Sequence, residues 1–167
     1  MDPVHAIGLG ESLFRLSVAA AIGGVIGINR DLRGKPAGLR TLSMVTLGSA
    51  LLALVGAAMT LPEERPDSSA LSRVIQGIMA GIGFLGGGVI LRDEAKRHVE
   101  GLTTASSIWV SASLGIACGA GYWRVALLAL GIALVVLIGG GPLEHTIERC
   151  IPGAPSKPRR QTESESP

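Results

Sequence analysis

The chain has 167 residues, of which 47% are hydrophobic and only 3% aromatic, and its mean hydropathy is +0.46. This composition excludes an ordinary soluble domain, and the small formal net charge of +2 gives no sign of a nucleic-acid partner. Because about 20 apolar residues span a bilayer, long uncharged stretches indicate membrane spans. Such stretches are Leu16–Asn29, Thr41–Pro62, Val74–Leu91, Gly101–Trp123 and Val125–Leu143. The sequence therefore predicts an all-α integral membrane protein, a bundle of about five transmembrane helices.

The basic residues are concentrated in alternate connecting segments. The segment between spans 1 and 2 holds four, the loop between spans 3 and 4 holds three and the tail holds four, which makes 11 of the 15 Lys and Arg residues. All three segments fall on one side of a five-span arrangement, so the positive-inside rule predicts the N-terminus outside and the C-terminus in the cytoplasm. The Met-Asp-Pro start has no basic region, and no secretory signal is expected.

The first span begins beside a charged pair. Glu11 and Arg15 are four residues apart and share a helix face, which predicts an ion pair that anchors the helix. The Arg15 head group is expected to reach outward from the span. Gly23 and Gly27 then form a small-residue face, which we expect to pack against the glycine-rich third span.

The segment between spans 1 and 2 carries most of the polar chemistry. Gly34, Pro36 and Gly38 break a helix and predict a tight turn. Two interpretations of its charges remain open: they only fix the topology, or they form a polar pocket at the inner membrane face. In the second interpretation Arg40 and Lys35 hold an anion or pair with Asp31. The pocket residues from this segment are Asn29, Arg30, Asp31, Lys35, Arg40 and Thr41.

The third span contains six glycines between residues 77 and 88. Gly77 and Gly81 are four residues apart, as are Gly83 and Gly87, so each pair marks one helix face. We interpret this span as the central helix against which the others pack. The same run matches a dinucleotide-binding fingerprint, but the motif needs a preceding strand and an acidic residue about 20 positions later, so helix packing is preferred.

Arg92 in the second basic loop is a further candidate pocket residue, and span 4 opens with several hydroxyl residues. Thr103 or Thr104 suits the N-cap, and a helix N-terminus attracts anions. This N-terminus and the Arg40–Thr41 segment are predicted to lie at the same membrane face, where they would complete the pocket. Span 5 is aliphatic all round and is expected to face lipid. We therefore divide the chain into a transmembrane domain, residues 1–143, and a cytoplasmic, largely disordered tail, residues 144–167.

Three ordered motifs resemble the MgtC/SapB family of bacterial inner-membrane proteins. They are Gly34-Lys-Pro-Ala-Gly-Leu-Arg-Thr41, Ser72-Arg-Val-Ile-Gln-Gly77 with Gly81-Ile-Gly-Phe-Leu-Gly86, and Gly101-Leu-Thr-Thr-Ala-Ser106 with Trp109. The resemblance implies about five spans, often followed by a soluble C-terminal domain that is not expected here. It also implies a multi-pass inner-membrane location and a role in adaptation to low magnesium and in virulence. Trp109 joins the candidate pocket on this basis.

The chain departs from the family pattern at three ionisable positions. It has Asn29-Arg30-Asp31 where the family usually has Glu-Arg-Glu, Leu42 where it usually has His, and Ala70 where an acidic residue is expected. Each departure weakens ion or proton chemistry that would use the missing group.

Three functions follow from these features. The preferred one is a non-enzymatic regulator of membrane physiology, a homo-oligomer or a partner of another membrane protein complex, acting through helix contacts in the lipid bilayer. The alternative is a divalent-cation (Mg²⁺) transporter or channel, although Mg²⁺ needs hard oxygen ligands and no Asp or Glu occurs inside spans 2 to 5. An enzyme using Arg40, Thr103 and Thr104 is least favoured, since no nucleophile–base pair is visible. No cofactor is expected, and Mg²⁺ is the one ion that the resemblance suggests.

Overall fold

The computed structural model describes residues 7–60, 68–93 and 98–150 of the chain. Its elements in chain order are α1 (Leu9–Leu32), α2 (Leu39–Thr60), α3 (Ser68–Val89), β1 (Leu91–Asp93), β2 (His98–Glu100), α4 (Leu102–Gly119) and α5 (Trp123–Cys150). One compact unit extends to Ala133, and a second begins at Leu134. The predicted disordered tail after Cys150 lies outside the described residues, so that part of the division stays a prediction.

Five helices are long and apolar enough to cross a membrane, which confirms the predicted fold class. The candidate spans are Leu9–Leu32, Leu39–Met59, Ser69–Val89, Leu102–Gly119 and Trp123–Gly140. Helix α1 begins seven residues before the uncharged stretch at Leu16, so it reaches spanning length with Arg15 inside it. The direction in which the helices cross the membrane stays a prediction.

Helix α2 lies at the centre of the first unit and contacts α1, α3 and α4. Close approach is possible because small residues line these contacts. A Cβ added at Gly27 would lie 2.5 Å from the Cα of Leu39, and one at Gly119 would lie 2.9 Å from the carbonyl carbon of Ala50. The buried apolar residues of α1, α2 and α4 include Ile22, Ile26, Leu42, Ala50, Ala53, Ile108 and Ala112.

The prediction that α3 is the central helix is wrong. Nothing lies within 4 Å of a Cβ added at Gly77, Gly81, Gly83 or Gly87. The glycine face of α1 packs against α2 rather than α3: an added Cβ at Gly23 would collide with the backbone of Leu42. The physical reason is that close packing needs small residues where two helices cross. Glycines of α1 and α4 supply them against α2: Gly23, Gly27, Gly115 and Gly119.

A two-stranded antiparallel hairpin follows α3, where the sequence indicated only a loop. Its register pairs Leu91 with Glu100, Arg92 with Val99 and Asp93 with His98. These strands are too short and too charged for a recognisable period of two. Gly101 leaves the hairpin with a φ of 90°, and a Cβ there would lie 2.9 Å from the carbonyl carbon of Val89. Glycine at this position therefore lets the hairpin close onto the end of α3.

Helix α5 is exposed along most of its described length, as expected for a helix that faces lipid. Within the first unit its Trp123 ring meets Phe14 edge-on, with 5.4 Å between the ring centroids, and Ala126 is buried. Within the second unit Val135 and Val136 are exposed. The helix continues to Cys150, past the domain boundary predicted at residue 143.

Candidate functional site

Arg30, in the last turn of α1, is the one charged residue among the described positions whose side chain is buried, at 3% exposure. It lies almost one turn after Gly27, on the face of α1 that approaches α2. Its Nη2 donates to the carbonyl oxygen of Pro36 at 3.3 Å and, in a short hydrogen bond, to the Oγ1 of Thr104. This guanidinium therefore joins the end of α1, the α1–α2 loop and the start of α4. We call Asn29, Arg30, Asp31, Pro36 and Thr104 the Arg30 cluster.

Neutral oxygens and a helix end surround this buried charge. In the described part of the chain, no carboxylate lies within 4.0 Å of the Arg30 guanidinium. Burying an unpaired ion costs several kcal/mol, so the Pro36 carbonyl, the Thr104 hydroxyl and the negative C-terminal end of the α1 dipole must offset that cost. The Nε of Arg30 and the Oδ1 of Asn29 are buried without a hydrogen-bond partner. The cluster thus joins helices through Arg30, which depends on two acceptors, the Pro36 carbonyl and the Thr104 hydroxyl.

Asp31 performs a different task from the predicted ion pair with Arg40 or Lys35. Its Oδ2 accepts a hydrogen bond from the amide of Leu39 at 2.9 Å, which caps the first turn of α2. The carboxylate lies against Gly38, where an added Cβ would be 2.6 Å from Oδ2. No described ion pair joins Asp31 to a basic residue. Its carboxylate therefore serves the α2 N-terminus.

The α1–α2 loop is tight, as the glycine and proline pattern predicts. The amides of Gly34 and Lys35 donate to the carbonyls of Asp31 and Arg30, both at 3.0 Å. Gly34 has a φ of 58°, and Ala37 adopts nearly the same left-handed conformation at 59°. The side chains of Lys35, Arg40 and Thr41 are exposed on this fixed backbone. None of the three is brought into the Arg30 cluster.

The start of α4 does lie beside the α1–α2 loop, as predicted, but through Thr104 and Arg30. The predicted threonine N-cap is wrong, because Gly101 occupies that position without a side-chain capping bond. Thr103 is exposed, and Thr104 turns inward. Trp109 is half exposed on another face of α4, away from the cluster. Arg92 lies in β1, and its side chain is outside the described part of the structure.

A second set of polar residues, not predicted as a site, lines the buried contact between α2 and α4. Thr46 donates to the carbonyl of Leu42 at 2.8 Å, and Ser107 donates to that of Thr103 at 2.7 Å. The hydroxyl of Ser111 is buried without a partner. Thr104, Ser107 and Ser111 are spaced three and four residues apart, and this helical period is the signal that could have identified their shared face.

The opposite end of α1 holds a second arginine contact with α4. Arg15 pairs with Glu11 at 2.7 Å, which confirms the predicted ion pair, and its Nη1 donates to the carbonyl of Gly119 at 3.2 Å. Arg15 and Arg30 are separated by the same number of residues as Gly119 and Thr104. Because both helices rise equally per residue, the two arginines fix the antiparallel register of α1 and α4.

The described residues contain no group of three or more His, Cys, Asp or Glu side chains placed to hold a metal ion. The two carboxylates on α1, Glu11 and Asp31, lie at opposite ends of the helix and are each engaged, with Arg15 and with the Leu39 amide. The groups that lie buried together at the Arg30–Thr104 contact are a guanidinium and a hydroxyl, which suit contacts with anions or carbonyl oxygens.

Comparison with known proteins supplies the family context. The model of the MgtC family matches residues 16–146. Protein SrpB of Synechococcus elongatus is 42% identical over 132 residues, which cover 75% of this chain and 72% of SrpB. Protein MgtC of Salmonella typhimurium is 39% identical over 122 residues, covering 73% of this chain and 49% of that protein.

A third relative is YhiD of Escherichia coli K12, whose name proposes magnesium transport. It is 38% identical over 130 residues, which cover 76% of this chain and 59% of YhiD. The chain thus spans only about half the length of MgtC and somewhat more of YhiD. No solved structure matches the chain.

Proposed function

Because this chain belongs to the MgtC family of bacterial membrane proteins, we propose that it is a non-enzymatic regulator of membrane physiology. It resides in the inner membrane, contributes to adaptation to low magnesium and to virulence, and acts through contacts between transmembrane helices. Its partner is a second copy of the chain or another membrane protein complex. The observation that carries the proposal is that two glycine pairs of α3, Gly77 with Gly81 and Gly83 with Gly87, are uncovered.

Two sets of glycines have different surroundings. Gly23 of α1 and Gly115 of α4 approach the backbone of α2, whereas Gly77, Gly81, Gly83 and Gly87 on α3 face open space. Transmembrane helices associate mainly by van der Waals packing, for which small residues allow close approach. Glycine pairs that no described helix of this chain covers therefore support contact with a helix of another chain.

The distribution of charge supports regulation over transport. Magnesium binds carboxylates and keeps several of its waters, and no Asp or Glu occurs within α2, α4 or the described spans of α3 and α5. The buried charge that does exist, Arg30, is cationic and would repel a divalent cation. The alternative, a Mg²⁺ transporter or channel, is supported by the name of YhiD and by the buried hydroxyls of Thr46, Ser49, Ser107 and Ser111, which are oxygen ligands along the membrane depth.

The test compares two glycines that both face open space. We expect Gly81→Leu on α3 to abolish growth in a low-magnesium assay that depends on this protein, because the leucine would prevent close approach of a partner helix. The yield of cross-linked protein in the native membrane should also be lower for this variant than for the wild type. Gly131→Leu on α5 is the matched control, since nothing lies within 4 Å of that position either. Equal growth of the two variants at wild-type level would refute the helix-contact proposal.

A further inference from the structure

We propose that the α1–α2 loop binds the head group of an anionic phospholipid through Lys35 and Arg40. The inference goes beyond the regulatory function proposed above and is independent of it. It rests on three properties of residues 30–40: uncompensated charge, position at the end of two spans, and a fixed backbone.

The loop presents positive charge that its own carboxylate does not neutralise. Residues 30–40 contain four basic residues and one acidic residue. Arg30 is buried, and the Asp31 carboxylate is held by the Leu39 amide. Lys35 and Arg40 are exposed, and among the described residues no carboxylate lies within 4.0 Å of either side chain. Both cations are therefore available to an anion from outside the chain.

The position of these two cations indicates that the anion belongs to a lipid. The loop joins two helices of membrane-spanning length, so it lies at the level of the lipid head groups. Leu32 and Leu39, which flank the loop, are 82% and 42% exposed. Exposed leucines beside exposed cations match a molecule that carries acyl chains and a phosphate together. Basic residues beside a membrane surface attract anionic lipids in this way.

The loop backbone is already fixed before a lipid arrives. Arg30 holds the Pro36 carbonyl, and the Lys35 amide donates to the Arg30 carbonyl. Left-handed conformations at Gly34 and Ala37 set the direction of the turn. Because the backbone does not need to become ordered on binding, little of the binding free energy is lost to conformational entropy.

Native mass spectrometry of the full-length protein in detergent measures this binding directly. The first association constant is compared for phosphatidylglycerol and phosphatidylcholine. Wild-type protein is expected to prefer phosphatidylglycerol, and Lys35→Gln/Arg40→Gln should lower that preference roughly tenfold. The matched control, Arg73→Gln/Arg124→Gln, removes two exposed charges from the start of α3 and of α5 and should change the preference by less than about twofold.

Three outcomes would overturn the proposal. Equal losses in the two double variants would show that total charge alone matters, and no loss in either would show that Lys35 and Arg40 do not bind lipid. Binding of glycerol phosphate as tight as that of phosphatidylglycerol would show that the site takes a soluble anion. Because the measurement uses no growth assay and leaves the α3 glycines intact, its failure is distinguishable from failure of the regulatory function.

Discussion

At the scale of single residues, the Arg30–Thr104 hydrogen bond decides how α1 and α4 meet. The two residues are 74 positions apart in the chain, and both are buried. Within the described residues, the guanidinium has only neutral hydrogen-bond acceptors. If one acceptor is removed, no carboxylate within 4.0 Å can replace it. A charged donor left unsatisfied in a buried place costs more than an ordinary hydrogen bond.

Thr104→Val therefore removes a hydroxyl without a large change in volume and should lower the free energy of unfolding by about 1–3 kcal/mol. Denaturant unfolding in one detergent measures the difference. The neighbouring Thr103→Val is the control, because Thr103 is exposed and its hydroxyl does not contact Arg30. Equal stabilities of the two variants would show that the Arg30 contact contributes nothing to the fold.

The sequence alone indicated a polar cluster here but could not identify which basic residue has its side chain buried. Arg30, Arg33, Lys35 and Arg40 are all plausible from charge and spacing. The choice depends on the rotation of α1 about its axis, which is fixed by the close contact of Gly27 with Leu39. That contact is between residues of two different helices, so it cannot be predicted from the sequence pattern of either helix. The capping role of Asp31 was missed for the same reason.

At the scale of elements, α2 and α4 approach each other closely along their buried faces. A Cβ added at Gly115 would lie 3.0 Å from both the Cβ of Ser49 and the carbonyl carbon of Thr46. Because one of these atoms belongs to the backbone, a helix rather than a side chain would have to move. Overpacking of this kind costs about 1–3 kcal/mol.

Gly115→Ala is accordingly expected to lower the midpoint of thermal unfolding by several degrees, in the range of about 2–8 °C. The matched control is Gly48→Ala, on the exposed side of α2, where an added Cβ meets nothing within 4 Å. Alanine favours a helix over glycine, so the control should unfold at the wild-type temperature or above it. An equal decrease in the unfolding midpoint of both variants would contradict the contact between Gly115 and α2.

Helix content was predictable from sequence, whereas the arrangement of the helices was not. Long uncharged runs identify spans because backbone groups in lipid must be satisfied within a helix. Glycine content suggested α3 as the centre, but α2, with its Ala and Ser residues, has that position. Small residues permit close packing without specifying which helix supplies the other side. The short hairpin after α3 also escaped prediction, because six paired residues give too little pattern.

At the scale of the whole molecule, α1, α2 and α4 pack closely against one another, whereas α3 and α5 each have an exposed surface. The polar residues at the two ends of α1 are used to hold helices together: Arg15 contacts Gly119, and Arg30 contacts Thr104. Four glycines of α3 (Gly77, Gly81, Gly83 and Gly87) and most of the described part of α5 are open to neighbours in the membrane. This division of roles is the one that the proposed regulatory function requires, because contact with another membrane protein needs an uncovered helix surface.

Magnesium flux tests this claim most directly. The full-length protein is reconstituted in liposomes that contain a magnesium-sensitive dye, and entry of Mg²⁺ is followed after external addition, with an ionophore as the positive control. If the protein is a regulator, Mg²⁺ entry should not exceed that into empty liposomes. A cooperative unfolding transition of the reconstituted protein shows that it is folded. Flux that saturates with Mg²⁺ concentration would contradict the regulatory function and establish transport.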